Sequence, residues 1–410
     1  MSSTDSNDSS PGAGTVALGV TGSIAAYKAA ELTSRLTRAG VDVHVLMTAS
    51  AMQLVQPCTF LTLSHNPVLT DLWEEPDWRP AHVALAARAD VLAVVPATAN
   101  FLAKLAHGIA DDALSTYALS HRGKVVVAPA MNPNMWQHPA VQENCRVLQE
   151  RGVAFVGPES GPVACGDDGT GRLAAGERIF AAVCVQVAAA RVAAGGRTLP
   201  RILVTAGPTR EPIDPVRFLS NRASGRMGHA VAAVAAAAGC QTTLVSGPGC
   251  PAPPDSCRCI NVETAADMAA AVKREFPNHD VLVMAAAVAD YRPPAAATRK
   301  HKKTDANWKL ELVRTEDILA AAAAAKRPGQ RIMGFAAETE QLEKRAREKL
   351  ERKNLDWIVA NDVSRADIGF GAADNEVIVL SRDGRVILGK MPKTEAAARL
   401  IDILLADWSG

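Results

Sequence analysis

None of the eight cysteines, at positions 58, 145, 165, 184, 240, 250, 257 and 259, forms a CxxC pair. That absence leaves neither a zinc site nor a disulfide framework indicated, and reduced thiols are the default. Net charge is missing as well: 44 Lys and Arg against 43 Asp and Glu leave a formal +1. Such a balance argues against a nucleic-acid or acidic-membrane partner held by bulk electrostatics, while small anionic ligands remain open. No apolar run reaches membrane-spanning length, because Phe180 to Ala194 is broken by Gln186 and Arg191. The N-terminus lacks a charged-then-apolar leader pattern, so a cytoplasmic protein is expected.

What is present is ordinary for a globular protein: 410 residues, 48% hydrophobic and 21% charged, enough for about two or three domains with sizeable cores. Residues 1–14 are Ser, Asp, Asn, Gly and Pro for the most part and are expected to form a disordered tail. Twice thereafter a β-branched run enters a glycine-bearing turn and an Ala-rich helix, at Val16 to Ala25 and at Ile202 to Thr209. A turn of that kind leaves backbone N–H groups at a helix start for phosphate oxygens. Alternating strands and helices (strands at 16–20, 42–47, 91–95 and 125–128; helices at 24–38, 50–56, 100–108, 112–120 and 177–193) predict a parallel sheet covered on both faces. The stop Ala194-Gly195-Gly196-Arg197-Thr198-Leu199-Pro200 reads as a linker, dividing an α/β domain at 15–193 from a second at 201–410. There the expected strands are 202–205, 242–246, 281–285, 331–335 and 356–359, with a long loop over 206–225, helices at 227–238 and 264–276, and a hairpin about Arg382-Asp383-Gly384. The charged segment Glu338 to Lys353 reads as a solvated helix face.

In the first domain, Gly19-Val20-Thr21-Gly22-Ser23-Ile24-Ala25 has GxxGxxA spacing, a weak signal alone because packing also asks for small residues in such turns. A dinucleotide site places an acid at the end of the next strand for the ribose diol. Here Met47-Thr48-Ala49-Ser50 stands instead, and hydroxyls suit a mononucleotide phosphate or a ribityl chain. Pro96-Ala97-Thr98-Ala99-Asn100 and Pro129-Ala130-Met131-Asn132-Pro133-Asn134-Met135-Trp136 follow two further strands, at the ends where open α/β sheets bind ligands. With His82 and Ala164-Cys165-Gly166-Asp167-Asp168-Gly169-Thr170-Gly171-Arg172-Leu173, these motifs resemble the FMN-dependent phosphopantothenoylcysteine decarboxylases over residues 15–190. The resemblance implies a flavodoxin-like fold, FMN held by Gly22, Ser23, Ile24, Thr48, Ser50, Thr98 and Asn100, and a redox-neutral decarboxylation. It also implies His82 as base, Asn132 as binder of the departing carboxylate and Cys165 as proton donor. Taken singly, His82 reads more readily as a structural hydrogen bonder than as a base, and Cys165 as an inert thiol.

In the second domain, Gly207 to Asn221 leads into Arg222-Ala223-Ser224-Gly225-Arg226-Met227-Gly228, where Ser224 is the expected helix cap and Arg226 stands at the mouth. Ala286-Ala287-Val288-Ala289-Asp290 closes a buried strand on an acid, and Lys300-His301-Lys302-Lys303 follows in a loop. The basic run alone is a solvated surface; together the parts make a triphosphate clamp. They resemble the phosphopantothenate-cysteine ligases from Arg201 onward, in a Rossmann-like fold. Fused behind a decarboxylase, they look like the bifunctional bacterial enzymes of coenzyme A biosynthesis. The resemblance implies CTP as activator of 4'-phosphopantothenate through an acyl-cytidylate, with cysteine's amine then displacing CMP. Gly225, Arg226, Ala286, Ala287, Asp290 and Lys300 would meet CTP, Lys300 serving cytidylate formation, Asn221 the acyl intermediate and Arg217 the substrate. Mg²⁺ would sit near Asp290 and Asp317. Self-association into a homo-oligomer of trimeric decarboxylase and dimeric ligase contacts, up to a dodecamer, is implied, with neither nucleic acid nor membrane as partner. Three positions depart from the family pattern: Ala223 stands for Ser, Arg226 for Lys, which keeps the charge, and His301 for an apolar residue, expected to be a passive surface position. A nicotinamide oxidoreductase, a non-catalytic flavoprotein and a flavin prenyltransferase are the competing readings. The missing acid after Met47, the presence of His82 and the Cys165 segment, and the whole second half count against them in turn.

Overall fold

The computed structural model describes residues 14–73, 81–162, 166–254, 256–301, 308–338, 340–362, 372, 374–382 and 384–408, with the backbone alone for 81–83. The expected tail at 1–14 therefore lies outside the described residues except for Gly14. The chain forms two compact units, one ending at Gly196 and the other beginning at Arg197.

In the first unit, strands β1 (Thr15–Val20), β2 (Asp42–Met47), β3 (Val91–Ala97), β4 (Lys124–Pro129) and β5 (Ala154–Phe155) pair in parallel in the order β2-β1-β3-β4-β5. Successive side chains of a strand point to opposite faces, and here both faces are covered. Val16, Leu18 and Val20 join a core with Leu32 and Leu36 of the helix Tyr27–Arg38 and with Phe180 of Gly176–Ala194. Ala17, Leu92 and Val94 join another with Leu114 and Tyr117. Two-sided burial is why these strands are continuous apolar runs. The same demand explains Phe180 to Ala194: it is a core helix, and among the described residues no helix is long and apolar enough to cross a membrane.

The second unit carries an eight-stranded sheet, in spatial order Arg258–Asn261, Thr242–Ser246, Ile202–Ala206, Val281–Met284, Arg331–Glu338, Trp357–Asp362, Asp374–Ser381 and Arg385–Pro392. The first six are parallel, which by position along the unit is the order 3-2-1-4-5-6, the doubly wound arrangement. The last two strands are antiparallel and are the hairpin expected about Arg382, Asp383 itself lying outside the described residues. Both units are thus α/β, the second with a mixed sheet.

Some expected elements differ. The helix expected over 50–56 is a single turn, Ala49–Met52, because Pro57 forces Gln56 into an extended conformation and opens a new helix, Pro57–Ser64. The expected loop at 206–225 contains an antiparallel pair, Arg210–Pro212 with Phe218–Ser220. Its turn is closed by the Ile213 N–H donating to the Arg217 carbonyl at 2.8 Å. The helix Lys393–Ala406 had no counterpart among the expected elements; it buries Ala397, Leu400, Ile401, Leu404 and Leu405.

Candidate functional sites

Four strand ends of the first unit hand the chain to helix starts capped by a hydroxyl or amide. Ser23 Oγ accepts from the Ala25 N–H at 3.5 Å, Thr48 Oγ1 from Ala51 at 3.3 Å, Thr98 Oγ1 from Phe101 at 3.3 Å, and Asn132 Oδ1 from Asn134 at 2.8 Å. All four residues line one cavity of about 850 Å³, together with Gly22, Ile24, Ser50 and Asn100. It lies outside the carboxyl ends of β1 and β3, where the strand order reverses and where open sheets bind ligands.

The turns around this cavity are locked together. Thr21, 1% exposed, donates through Oγ1 to the Pro96 carbonyl at 2.7 Å and accepts from the Thr98 N–H at 3.0 Å. A Cβ on Gly22 would stand 2.4 Å from that of Ser50, so only glycine lets the first turn approach the second. On the far side the hairpin Glu159–Pro162 with Asp168–Arg172 lies against the Asn132 turn, the Met131 N–H donating to the Gly171 carbonyl at 2.9 Å. Asn132 Nδ2 donates to the Asp167 carboxylate at 2.7 Å. Lys104, also on the cavity wall, has its ammonium against Asp111 and Asp112 at 2.6 and 2.8 Å. Burial alone would lower its pKa, and these two hydrogen bonds outweigh that and raise it. His82 falls in the helix Ala81–Arg88, its side chain outside the description, and Cys165 lies outside the described residues.

In the second unit a cavity of about 840 Å³ opens between the start of the helix Arg226–Ala237 and the end of Val281–Met284, beside the reversal of strand order, and reaches the ends of Arg331–Glu338 and Trp357–Asp362. It gathers Asn221, Gly225, Arg226, Ala286, Ala287, Asp290 and Asp317. Ser224 is not the cap: Gly225, at φ 71°, occupies that place and no side chain caps the helix Arg226–Ala237. Its first N–H groups are left for an anion. Asn221 Nδ2 donates to the carbonyls of Ala287 at 2.8 Å and Val288 at 3.3 Å. Asp317 caps the helix Ile318–Ala324 and pairs with Lys353 Nζ at 2.7 Å. Burial alone would raise its carboxyl pKa, yet the Lys353 hydrogen bond and the cap bring it below the usual value. No cluster of three or more metal-ligating side chains occurs among the described residues. Arg217 and Lys300 are not among the residues lining this cavity.

The chain is matched by the "Flavoprotein" family over residues 4–188 and by "DNA/pantothenate metabolism flavoprotein C-terminal domain" over residues 198–407. It is 44% identical over 371 residues to the Coenzyme A biosynthesis bifunctional protein CoaBC of Bacillus subtilis (strain 168), covering 90% of this chain and 91% of that one. With the protein of the same name from Vibrio cholerae serotype O1 it shares 41% over 392 residues, 95% of this chain and 97% of that one. The chain belongs to the coenzyme A biosynthesis bifunctional proteins. It is an enzyme that unites phosphopantothenate-cysteine ligase and phosphopantothenoylcysteine decarboxylase activities, on a flavoprotein half and a second α/β half. A crystal structure of the C-terminal domain of a CoaBC protein aligns with 50% of this chain and 96% of that one, at 42% identity and a TM-score of 0.43.

In this bifunctional protein the helix Leu342–Arg352 has the solvated charged face expected of it, with Lys344, Arg345, Glu348, Glu351 and Arg352 exposed, but its opposite side turns inward. Ala346 and Leu350 are buried, and Lys349, one turn from Lys353, lines the second cavity with it. Lys349 Nζ donates to the Phe335 carbonyl at 2.9 Å. Burial first and Lys353 second push its pKa down. The signal that could have found these lysines is the pair of apolar residues at 346 and 350, which turns one face of the helix toward the sheet and takes the i, i+3 and i, i+4 neighbours with it.

Thr21→Val, nearly isosteric, should destabilise the first unit by about 1–3 kcal/mol by leaving the Thr98 N–H without its acceptor, while Thr21→Ser should recover most of the loss. Urea unfolding of the two variants measures it; a Thr21→Val protein as stable as its parent would show that the bridge carries no weight.

Proposed function

We propose that the first unit is the decarboxylase and takes FMN in the cavity at the β1–β3 reversal. The supporting observation is the convergence of Ser23, Thr48, Thr98 and Asn132 at four strand ends, with a hydroxyl where a dinucleotide site would need an acid. Gly22, Ile24, Ser50 and Asn100 complete the wall, and hydroxyls and backbone N–H groups are the donors that a phosphate and a ribityl chain require. Bound FMN supplies reversible two-electron chemistry at the cysteine moiety. His82 takes the proton released as that moiety is oxidised, imidazole being neutral and basic near pH 7. The Asn132 amide holds the substrate carboxylate, in the manner in which it holds Asp167, until carbon dioxide departs and an ene-thiolate remains. Cys165 then donates the proton, and with the two electrons taken in the oxidation returned from bound FMN the double bond is saturated and the sequence is redox neutral. Cys165→Ser should still release carbon dioxide but stop before 4'-phosphopantetheine, whereas His82→Asn should release none. The assay is carbon dioxide and product quantified on the same samples, and normal product from Cys165→Ser would remove the thiol from the mechanism.

The second unit is read as the ligase, activating 4'-phosphopantothenate with CTP. The uncapped start of Arg226–Ala237 and the cations Arg226, Lys349 and Lys353 supply charge for a triphosphate, and Ala286 and Ala287 lie at the adjoining strand end. The Asn221 amide nitrogen is engaged by two carbonyls, leaving Oδ1 as acceptor for an N–H of the acyl intermediate or of the incoming cysteine. Mg²⁺ would arrive with the triphosphate and meet the Asp290 carboxylate, since Mg²⁺ keeps phosphate and water oxygens as most of its ligands. Asp317, held by Lys353, serves the cavity as a cap and counter-ion. Lys300 stands outside the cavity of its own chain. The dimeric ligase contact of a homo-oligomer would bring a second copy's Lys300 to it. There its ammonium neutralises charge that develops as pyrophosphate leaves. The cytoplasm, where CTP and cysteine are at hand, is the compartment that fits.

Lys300→Gln should slow pyrophosphate release from CTP and 4'-phosphopantothenate by about 100-fold or more, with decarboxylation of supplied phosphopantothenoylcysteine unaltered; release at the parent rate would return the basic run to a solvated surface. A second outcome follows from Lys349, whose depressed pKa places loss of its charge below the usual lysine range. A bound triphosphate favours the charged form. CTP affinity should therefore be full below the lowered pKa, fall as pH rises through it, and be accompanied there by proton uptake on binding. Lys353, Asp290, Asp317 and Glu338 are the ionisable neighbours. Calorimetric titrations in buffers of different ionisation enthalpy test this, and Lys349→Met should flatten the alkaline limb.

A further inference from the structure

Arg217, expected to meet substrate, already has its guanidinium engaged. Its Nε and Nη2 donate to Asp214 Oδ2 at 3.0 and 2.5 Å, and Nη2 donates also to the His301 carbonyl at 3.0 Å. Its planar face lies over the ring of Trp308, 4.4 Å from the centroid, a contact that favours a guanidinium. Asp214, with a fully buried side chain, accepts from the backbone N–H groups of Val216 and Arg217 on Oδ1, both at 2.9 Å, and from that of His301 on Oδ2 at 3.1 Å. The rings of His301 and Trp308 are 4.7 Å apart. His301 stands at the surface as expected, yet it is held there by its N–H, its carbonyl and its ring. Residues 301 and 308, far from 214 and 217 in sequence, are gripped by one ion pair on the turn of the 210–220 hairpin. Lys300 is the next residue back from His301, so the peptide that carries it is anchored at its carboxyl side.

We propose that Asp214, through Arg217, and Trp308 are positioning residues for Lys300 in the ligase reaction. The arrangement works by dividing tasks. Asp214 holds the His301 N–H directly, and it aligns Arg217 so that the guanidinium reaches the His301 carbonyl and the Trp308 ring together. Arg217 lowers the Asp214 carboxyl to well below the usual carboxylate range, so the pair stays ionised wherever the enzyme works. A lysine that must meet a triphosphate gains rate from being held in one place, since about 1 Å of misplacement can cost 10²-fold. The proposal rests on the reading that Lys300 acts in acyl-cytidylate formation.

The test uses the full-length protein with Asp214→Asn, Trp308→Ala, Trp308→Phe and Lys300→Gln. Pyrophosphate release at saturating CTP and 4'-phosphopantothenate is followed, alongside tryptic cleavage after Lys300 read by mass spectrometry. Asp214→Asn and Trp308→Ala should each lower the rate at least about 10-fold and speed cleavage after Lys300 several-fold, without speeding cleavage elsewhere in the second unit. Trp308→Phe, which keeps an aromatic face, should restore most of both. Parent rates in Asp214→Asn and Trp308→Ala, or a Trp308→Phe protein as impaired as Trp308→Ala, would overturn the proposal. Should Asp214→Asn fail to fold, Trp308, 44% exposed, carries the test alone. A Lys300→Gln protein at the parent rate, with cleavage still accelerated in Asp214→Asn, would remove the catalytic reading of Lys300 and leave the anchoring. An inactive Lys300→Gln protein, with Asp214→Asn and Trp308→Ala unchanged in rate and cleavage, would do the reverse.

Discussion

One buried threonine hydroxyl in each unit spans the reversal of strand order and holds a residue of the cavity wall, Thr98 in the first unit and Ala286 in the second. In the first unit Thr21 joins the end of β1 to the turn after β3 through Pro96 and Thr98. In the second, Thr205, at the corresponding place in Ile202–Ala206, accepts from the Ala286 N–H at 3.3 Å beyond Val281–Met284. Parallel strands on either side of such a reversal send their helices to opposite faces, so their turns diverge and open a crevice. Divergence alone would leave the turns unconnected. A hydroxyl that donates and accepts at once ties them at a fixed spacing, and its burial, with neither residue more than 1% exposed, keeps water from competing for the bond.

From that shared frame the two cavities part company at their helix starts. The first unit fills its turns with side-chain caps, so what faces the cavity is a ring of hydroxyls and an amide, with Lys104 already neutralised by two aspartates. The second unit starts the helix Arg226–Ala237 on a glycine in the left-handed region, where a Cβ would run into Cys250 Sγ at 2.3 Å, and leaves the N–H groups uncapped among lysines and an arginine. An electrically modest ring suits a ligand recognised by shape and hydrogen bonds. An uncapped start with surplus cations suits one recognised by concentrated negative charge.

Much of the frame was legible because strand and glycine-turn signals are local. The strand boundaries at 42–47 and 242–246 coincide with the predicted ones, since each run follows a glycine that ends a helix, Gly40 or Gly239, and is rich in β-branched and aliphatic residues. The single helical turn at 49–52 is also decidable from Pro57, which keeps Gln56 out of the helical region. The inward turn of Lys349 was not legible for a different reason: charges at i and i+4 look the same whether they face water or a cavity. Ser224 was misread as a cap because its neighbour Gly225, by taking a positive φ, started the helix one residue later than a serine cap would.

By itself, the sequence determined the fold class, the two units and the motifs that place this chain among the coenzyme A biosynthesis bifunctional proteins, because periodicity, turn residues and motif spacing are properties of short stretches. Tertiary structure alone decided who meets whom across long separations. Asp214 grips His301, Arg217 lies on Trp308, Lys353 holds Asp317 and the Asn132 amide finds Asp167. Such pairings depend on how a sheet's twist and the crossing helices bring distant turns to one rim, and no local pattern encodes which charged side chain will arrive there buried enough to need a partner.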